Sequence, residues 1–366
     1  MSLFDDDEAM DEVEAKEAAL AGPTAPEPRA NPDLIAHDKI EKEILRWWET
    51  DTVPHTLILT GPQGIGKATF AFRLARFLLT HPDAPGDGLF GAEPAPSSMA
   101  VSATNPVSQR VASGGHADMM SLALTMNEKT GNMHTEILVD EVREVPLFLR
   151  KTAAEGGWRV VIIDQAEKLN RNAQNALLKI LEEPPPRALL ILVTQTAGAL
   201  VPTIRSRSRV VQMDAPEMAD FNTLMRKYRP DLSTGDIELL ADVAGRAPGR
   251  ALALLDQGGM AAIRGTLSML DGLPTADDKT LWTMAEKLAV KATPDPLEGM
   301  LDVTVWSLQA RARAAAAENA NHAIKSALQT LDSLERHRTL CDKGNLDRRH
   351  MALGALRILQ NGMKAA

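Results

Sequence analysis

Apolar residues gather in three short, unbroken runs: Thr56 to Thr60 (TLILT), Arg159 to Ile163 (RVVII) and Ala188 to Val193 (ALLILV). Runs of this length, flanked by polar or glycine-rich sequence, predict strands buried on both faces. Helical spacing comes between them. Leu34, Ile35, Ile40, Ile44, Leu45, Trp47 and Trp48 predict a helix before the first strand, and Phe70, Leu74, Phe77 and Leu78 mark one face of the next, which must end before His81-Pro82. Asn170 is suited to cap a helix that buries Ala173, Leu177, Ile180 and Leu181 and is stopped by Pro184-Pro185-Pro186. Glu136 to Val139 reads as a short strand, and Glu141 to Lys151 as a helix interrupted or begun at Pro146. Strands alternating with helices predict an α/β fold with a doubly wound parallel sheet, whose ligands lie at the carboxyl ends of its strands. From 82 to 131 the sequence is rich in Pro, Gly, Ser, Ala and Met without a durable period, and is expected to be an insertion or a set of loops. Beyond Met213 strand signals fade: 216 to 258 reads as two or three short helices, and 275 to 366 as a separate helical region.

Composition narrows this picture. The chain has 366 residues, 44% hydrophobic and 24% charged, enough for two or three domains with their own cores. No apolar run approaches the roughly eighteen residues of a membrane span, and the amino-terminal stretch is acidic where a signal peptide is basic and then apolar, so a cytoplasmic protein is expected. Those acidic residues, followed by Pro23, Pro26 and Pro28, make 1 to 30 an expected disordered tail. The net charge of −9 argues against a blanket nucleic-acid binder, and the single cysteine, Cys341, excludes an internal disulfide. His81, His116 and His134 are too scattered for a metal site, and no zinc is expected.

The chemistry centres on GPQGIGKATF, Gly61 to Phe70, which follows the first strand and opens a helix. Backbone N–H groups of such a loop, with Gly61, Gly64 and Gly66 allowing its turns, wrap phosphate oxygens, and Lys67 reaches the outer phosphates. The next position, which in phosphate loops carries a magnesium-binding hydroxyl, is Ala68. Thr69 lies about 100° further around the helix and is an imperfect replacement. Asp164, at the end of the second run, stands where a metal-holding carboxylate belongs, but the following position, where a water-polarising acid belongs, is the neutral Gln165. Glu167 is expected to have left the strand end. Val201 to Val210 (VPTIRSRSRV) sets Arg205, Arg207 and Arg209 at alternate positions, either as a solvated face or with one of them reaching a neighbour's nucleotide.

Together, HTLILTGPQGIGKAT, IIDQAEKLNRNAQNALLKILEEPPP and LVPTIRSRSRV resemble the clamp-loader branch of the AAA+ ATPases, within it the family of delta-prime subunits of bacterial DNA polymerase III. The resemblance covers about residues 31 to 260 well, and the carboxyl-terminal stretch looks like that family's helical collar. It implies an AAA+ parallel-sheet domain over 31–213, a small helical lid domain over 214–272 and an all-α collar (oligomerisation) domain over 273–366. It further implies that Gly61 to Lys67 is the phosphate loop, Asp164 the Walker B acid and Thr194 the sensor-1 position; Arg250 lies near the family's sensor-2 helix start, with Arg246 in that role or simple surface exposure as the alternatives. Ser206-Arg207-Ser208 occupies the place of the family's Ser-Arg-Cys motif, with serine replacing cysteine, which makes Arg207 the candidate arginine finger, acting in trans on an adjacent ATPase subunit.

Three functions remain open on these residues. One is a delta-prime-type subunit of the clamp-loader complex, part of the DNA polymerase III holoenzyme without ATPase activity of its own, holding ATP statically or not at all. Its partners would be tau/gamma motor and delta subunits, with the sliding clamp and primer-template DNA reached through the complex. The alternative is an active AAA+ ATPase, with Thr69 standing in for Ala68 and a residue such as Glu167 for Gln165; an interaction scaffold with no finger is a third, plainer class.

Overall fold

In a computed structural model of the chain, the described residues are 27–83, 96–125, 135–155, 157–292, 295–344 and 347–364. They divide into two compact units, at Arg229 and Pro230.

The first unit is built on a five-stranded sheet: β1 (Thr56–Thr60), β2 (Met119–Leu122), β3 (Arg159–Ile163), β4 (Ala188–Thr194) and β5 (Arg209–Gln212). The order is β2-β3-β4-β1-β5, and the four strand pairs of this sheet are all parallel. The α/β class and parallel sheet expected from the sequence are borne out. Every residue of β1, β3 and β4 is buried, as their unbroken apolar runs require. Ile58, Val161, Ile163, Leu190 and Leu192 share a core with Val142, Val145 and Leu149 of α4 (Val139–Arg150) and Ala173, Leu177, Ile180 and Leu181 of α5 (Arg171–Glu182). Alternation gives the opposite face to α2 (Lys67–Thr80), whose Phe70, Leu74 and Phe77 are fully buried; α1 (Asp38–Glu49) precedes β1 and buries Ile44, Leu45 and Trp48.

Three expectations are corrected. The stretch from 82 to 131 contains α3 (Pro106–Ser113), started by the Asn105 side chain accepting from Val107 N–H and ended by Gly114 at φ 77°, and then β2. Glu136 to Val139 is no strand: Ile137 makes one isolated bridge to Leu169, and α4 starts at Val139 and runs on through Pro146. Residues 27–30, counted with the tail, form a turn in which Ala30 and Asn31 N–H groups both donate to the Glu27 carbonyl at 2.9 Å; residues 1–26 lie outside the described ones. The unit continues through α6 (Pro202–Ser206) to α7 (Met218–Tyr228), which buries Phe221 and Met225.

The second unit is helical, from α8 (Thr234–Ala244), α9 (Pro248–Asp256) and α10 (Gly259–Gly272) to α11 (Asp278–Leu288), α12 (Pro296–Ala317), α13 (Asn321–Gly344) and α14 (Arg348–Lys364). Ser233 and Asp236 form a capping box at the start of α8. One core joins Leu281 of α11, Met300 and Leu308 of α12, Leu334 of α13 and Leu356 and Leu359 of α14. Among the described residues no helix is long and apolar enough to cross a membrane.

Candidate functional site

Three segments leave the carboxyl ends of neighbouring parallel strands: the glycine loop from β1, Asp164 from β3 and Thr194 at the end of β4. Thr60 pairs with Thr194 and Ile163 with Leu192, so the register brings these ends to one edge of the sheet. Gly61, Gly64 and Gly66 all have positive φ, at 150°, 78° and 99°. A Cβ on Gly61 would clash with the carbonyl oxygen of Met213, whose N–H donates to Thr60 O at 2.8 Å, so chain packs closely under the loop's first residue. On its other side the loop is held by His37, whose Nε2 lies 2.9 Å from the Ile65 carbonyl and donates to it. His37 has no signal in the sequence, because its value depends on a left-handed backbone at φ 71° just before α1.

Lys67 is 7% exposed and donates to the carbonyls of Gly61 at 2.7 Å and Pro62 at 2.6 Å. Burial pushes its pKa down, and the carboxylates of Glu167 and then Asp164 pull it part of the way back. Asp164 shifts the other way: burial raises it, against the Gln165 N–H at 2.9 Å and the Lys67 charge. In both groups burial disfavours the charged form. Thr194 is buried and its Oγ1 donates to Thr196 O at 3.1 Å, while Thr69 is half-buried in the first turn of α2.

Glu167 departs from expectation. Gln165 adopts φ 52° and is exposed, and residues 166–168 form a short helical turn. That turn keeps the Glu167 carboxylate within electrostatic reach of Lys67, with Oε2 buried and making no hydrogen bond. The loop, its lysine and the start of α2 suit a phosphate group, with Gly61, Gly64, Gly66 and Lys67 as the residues that would hold it. For a magnesium ion beside the phosphates the fit is poorer, because Ala68 brings no oxygen and Thr69 sits elsewhere on the turn.

Arg207 is not part of this cluster. It ends α6, just before β5, where Arg209 pairs with Leu57 and Gln212 with Thr60. Arg207 therefore enters at the amino end of the sheet, roughly 15–20 Å along the strand direction from the glycine loop. Its side chain is 39% exposed, with Nη2 3.1 Å from Glu182 Oε1 and Nη1 donating to Thr203 O at 3.3 Å. Arg205 is exposed beside it, whereas Arg209 pairs with Glu43 at 3.1 Å and lies over the Trp47 ring. In the second unit Arg250 donates to the Asp302 carbonyl at 3.3 Å, and Arg246 has φ 57° at the end of α8. His81 stacks on Phe77, and His116 Nδ1 accepts from Asp118 N–H at 3.2 Å; His134 lies outside the described residues. Among the described residues no group of three or more His, Cys, Asp or Glu side chains is placed to hold a metal ion.

Comparison with known proteins agrees with this geometry. A family model described as DNA polymerase III, delta subunit, matches residues 36–217, from before α1 to just past β5. DNA polymerase III subunit delta' of Pseudomonas aeruginosa is 33% identical over 204 residues, 56% of this chain and 56% of that protein. Subunit gamma of Buchnera aphidicola is 26% identical over 63% of this chain and 58% of its own length, so these first relatives are spanned over less than two thirds of their lengths. Subunit delta' of Escherichia coli is 27% identical over 289 residues, 76% of this chain and 79% of that protein. Over residues 36–217, the sheet unit that carries the glycine loop, Asp164 and Arg207, the chain is similar to the DNA polymerase III delta-subunit family and to the delta' subunits of two bacteria.

Proposed function

We propose that this chain is a delta-prime-type subunit of a clamp loader that does not itself hydrolyse ATP and instead presents Arg207 to nucleotide bound by a neighbouring gamma- or tau-type subunit. The observation that carries this reading is the placement of Arg207 at the opposite end of the sheet from the chain's own glycine loop, beyond the reach of an arginine side chain. Any nucleotide it serves belongs to another subunit. Ala68 and the outward-turned Gln165 support the second half of the proposal, since they remove a metal ligand and a water-polarising acid. The loop and Lys67 keep a place for a phosphate, so ATP bound without turnover is compatible with the site. The division into a lid over 214–272 and a collar over 273–366, with the collar holding the complex together, belongs to this proposal. So do a cytoplasmic setting and the contacts with delta, sliding clamp and primer-template DNA made through the complex.

A second reading, an active ATPase, draws on one observation: the Glu167 carboxylate lies close enough to Lys67 to act on it and has an unpartnered buried oxygen. Steady-state ATPase separates the two. The chain alone and the chain reconstituted with gamma/tau and delta subunits, clamp and primed DNA are compared with Lys67→Ala and Arg207→Ala. No turnover by the chain alone, tolerance of Lys67→Ala in the complex, and a roughly tenfold or greater loss with Arg207→Ala are expected. Turnover by the isolated chain that Lys67→Ala or Glu167→Gln abolishes would establish the second reading instead.

A further inference from the structure

An ammonium has three N–H groups, and two of those on Lys67 are taken by its own loop, at the carbonyls of Gly61 and Pro62. Among the described residues it makes no other hydrogen bond, which leaves one N–H for a ligand. The charges around it are equally restrictive. Glu167, and less strongly Asp164, both act on the ammonium, so one cation faces two carboxylates.

Glu167 is fixed where it stands. Gln165 turns the chain at φ 52°, the Lys168 N–H donates to the Gln165 carbonyl at 2.8 Å, and Ala166 and Leu169 are buried in the core beneath the turn. A second tie comes from the Ile137 N–H, which donates to the Lys168 carbonyl at 3.1 Å. The Glu167 Oε2 that this turn holds is shut away from solvent without a hydrogen-bonding partner, an unfavourable state that the charge of Lys67 offsets.

A phosphate group entering the loop needs the same ammonium and therefore competes with Glu167 for it. How well it competes depends on its own charge. Where a phosphate loop carries a hydroxyl at the position of Ala68, a magnesium ion neutralises carboxylates and phosphates together. Here Ala68 brings no oxygen and Thr69 is half-buried elsewhere on the turn, so that compensation is missing. Each further negative charge on the ligand is then repelled by two carboxylates and attracted by one ammonium, and a third phosphate weakens binding where a metal-loaded loop would gain from it.

We propose that Glu167 sets the phosphate selectivity of the glycine loop, which takes a diphosphate group without a metal ion in preference to a triphosphate. This rests on the reading of the loop as a phosphate site in a chain that does not hydrolyse ATP.

The test is calorimetric titration of the full chain with ADP, ATP and inorganic pyrophosphate, each with magnesium and with EDTA, for the parent, Glu167→Gln and Lys67→Met. Glu167→Ala is the second variant should the glutamine variant not fold. The parent should bind ADP roughly tenfold more tightly than ATP, with no gain from magnesium, and pyrophosphate should compete with ADP. Removing the Glu167 charge should tighten both nucleotides, ATP by more, so that their ratio falls towards one; Lys67→Met should bind none of the three. The proposal is overturned if the parent binds neither nucleotide or holds ATP as tightly as ADP, if magnesium tightens ATP, if pyrophosphate does not compete, or if the ratio survives loss of the Glu167 charge. Each of these results leaves the non-hydrolysing reading standing. Turnover of ATP by the same preparation of the isolated parent sinks that reading and this proposal with it.

Discussion

Replacing Lys67 with methionine asks whether the glycine loop is kept for an anion or for the fold. The ammonium is buried and gives two hydrogen bonds to carbonyls of its own loop, at 2.7 and 2.6 Å. If those charge-assisted bonds were structural, losing both would cost about 3–6 kcal/mol. The direction of the lysine's pKa argues otherwise. Burial holds it below 10.5 despite Glu167 and Asp164, so the folded protein accommodates the ammonium less well than the unfolded chain does. The two bonds and two carboxylates only partly offset desolvation. Lys67→Met keeps the aliphatic stem and much of the volume, and its stability is expected to lie within about 1.5 kcal/mol of the parent, or above it. For a unit of this size 1 kcal/mol is roughly 2–4 °C in Tm, which thermal unfolding resolves. The sign has a pH signature. Between the lowered folded pKa and 10.5 the unfolded chain binds more protons, so the parent should gain stability relative to Lys67→Met as pH rises through that window. Any rise in the parent's Tm on adding ATP should vanish in the variant. A variant melting about 10 °C or more below the parent at neutral pH would refute the reasoning, because the lysine would then be a structural post.

The two ends of the loop differ in a way unfolding experiments can read. Gly61→Ala should destabilise by about 2–4 kcal/mol, because its Cβ meets a backbone carbonyl fixed in the sheet, whereas Gly66→Ala, with no neighbour nearer than 3.5 Å, should cost only the strain of its φ, about 1 kcal/mol. Equal losses would show that the close approach at Met213 is not what constrains the loop. Glu41, buried with Arg73 at 3.1 Å and Ser98 at 2.7 Å, should cost about 3–5 kcal/mol on replacement by alanine, since Arg73 is left without its carboxylate. Burial pushes the Glu41 carboxyl up, but Ser98, Arg73 and the Met99 N–H together bring it below 4.5; its stabilisation is full above 4.5 and lost as pH falls through the lower folded value. Acid unfolding of Glu41→Gln should accordingly be less steep than that of the parent, and an unchanged acid limb would remove Glu41 from the account.

What the sequence reveals of this fold follows the position of each strand in the sheet. The three central strands, β3, β4 and β1, are buried on both faces and had to be apolar throughout, so their runs stand out. The two edges, β2 and β5, leave no such run for one reason: an edge strand needs no continuous apolar face. All four residues of β2 are only half-buried, and in β5 Val211 alone is buried. The missing edge had a functional consequence. Read as a charge run, Arg205, Arg207 and Arg209 are three equivalent cations. Once β5 is seen to begin at Arg209 they separate, with Arg209 fixed on Trp47 and Glu43 and Arg207 displayed at the amino end of the sheet. The site divides in the same way. Its glycines, Lys67 and Asp164 are legible because their chemistry depends on residue type and local spacing. Glu167 and His37 are not, because each depends on where the backbone carries it: a left-handed residue at 165 or 37. Both are non-glycine residues in a region that glycine usually fills, so no residue pattern marks them, and what they place is a carboxylate within electrostatic reach of Lys67 and an imidazole on the Ile65 carbonyl.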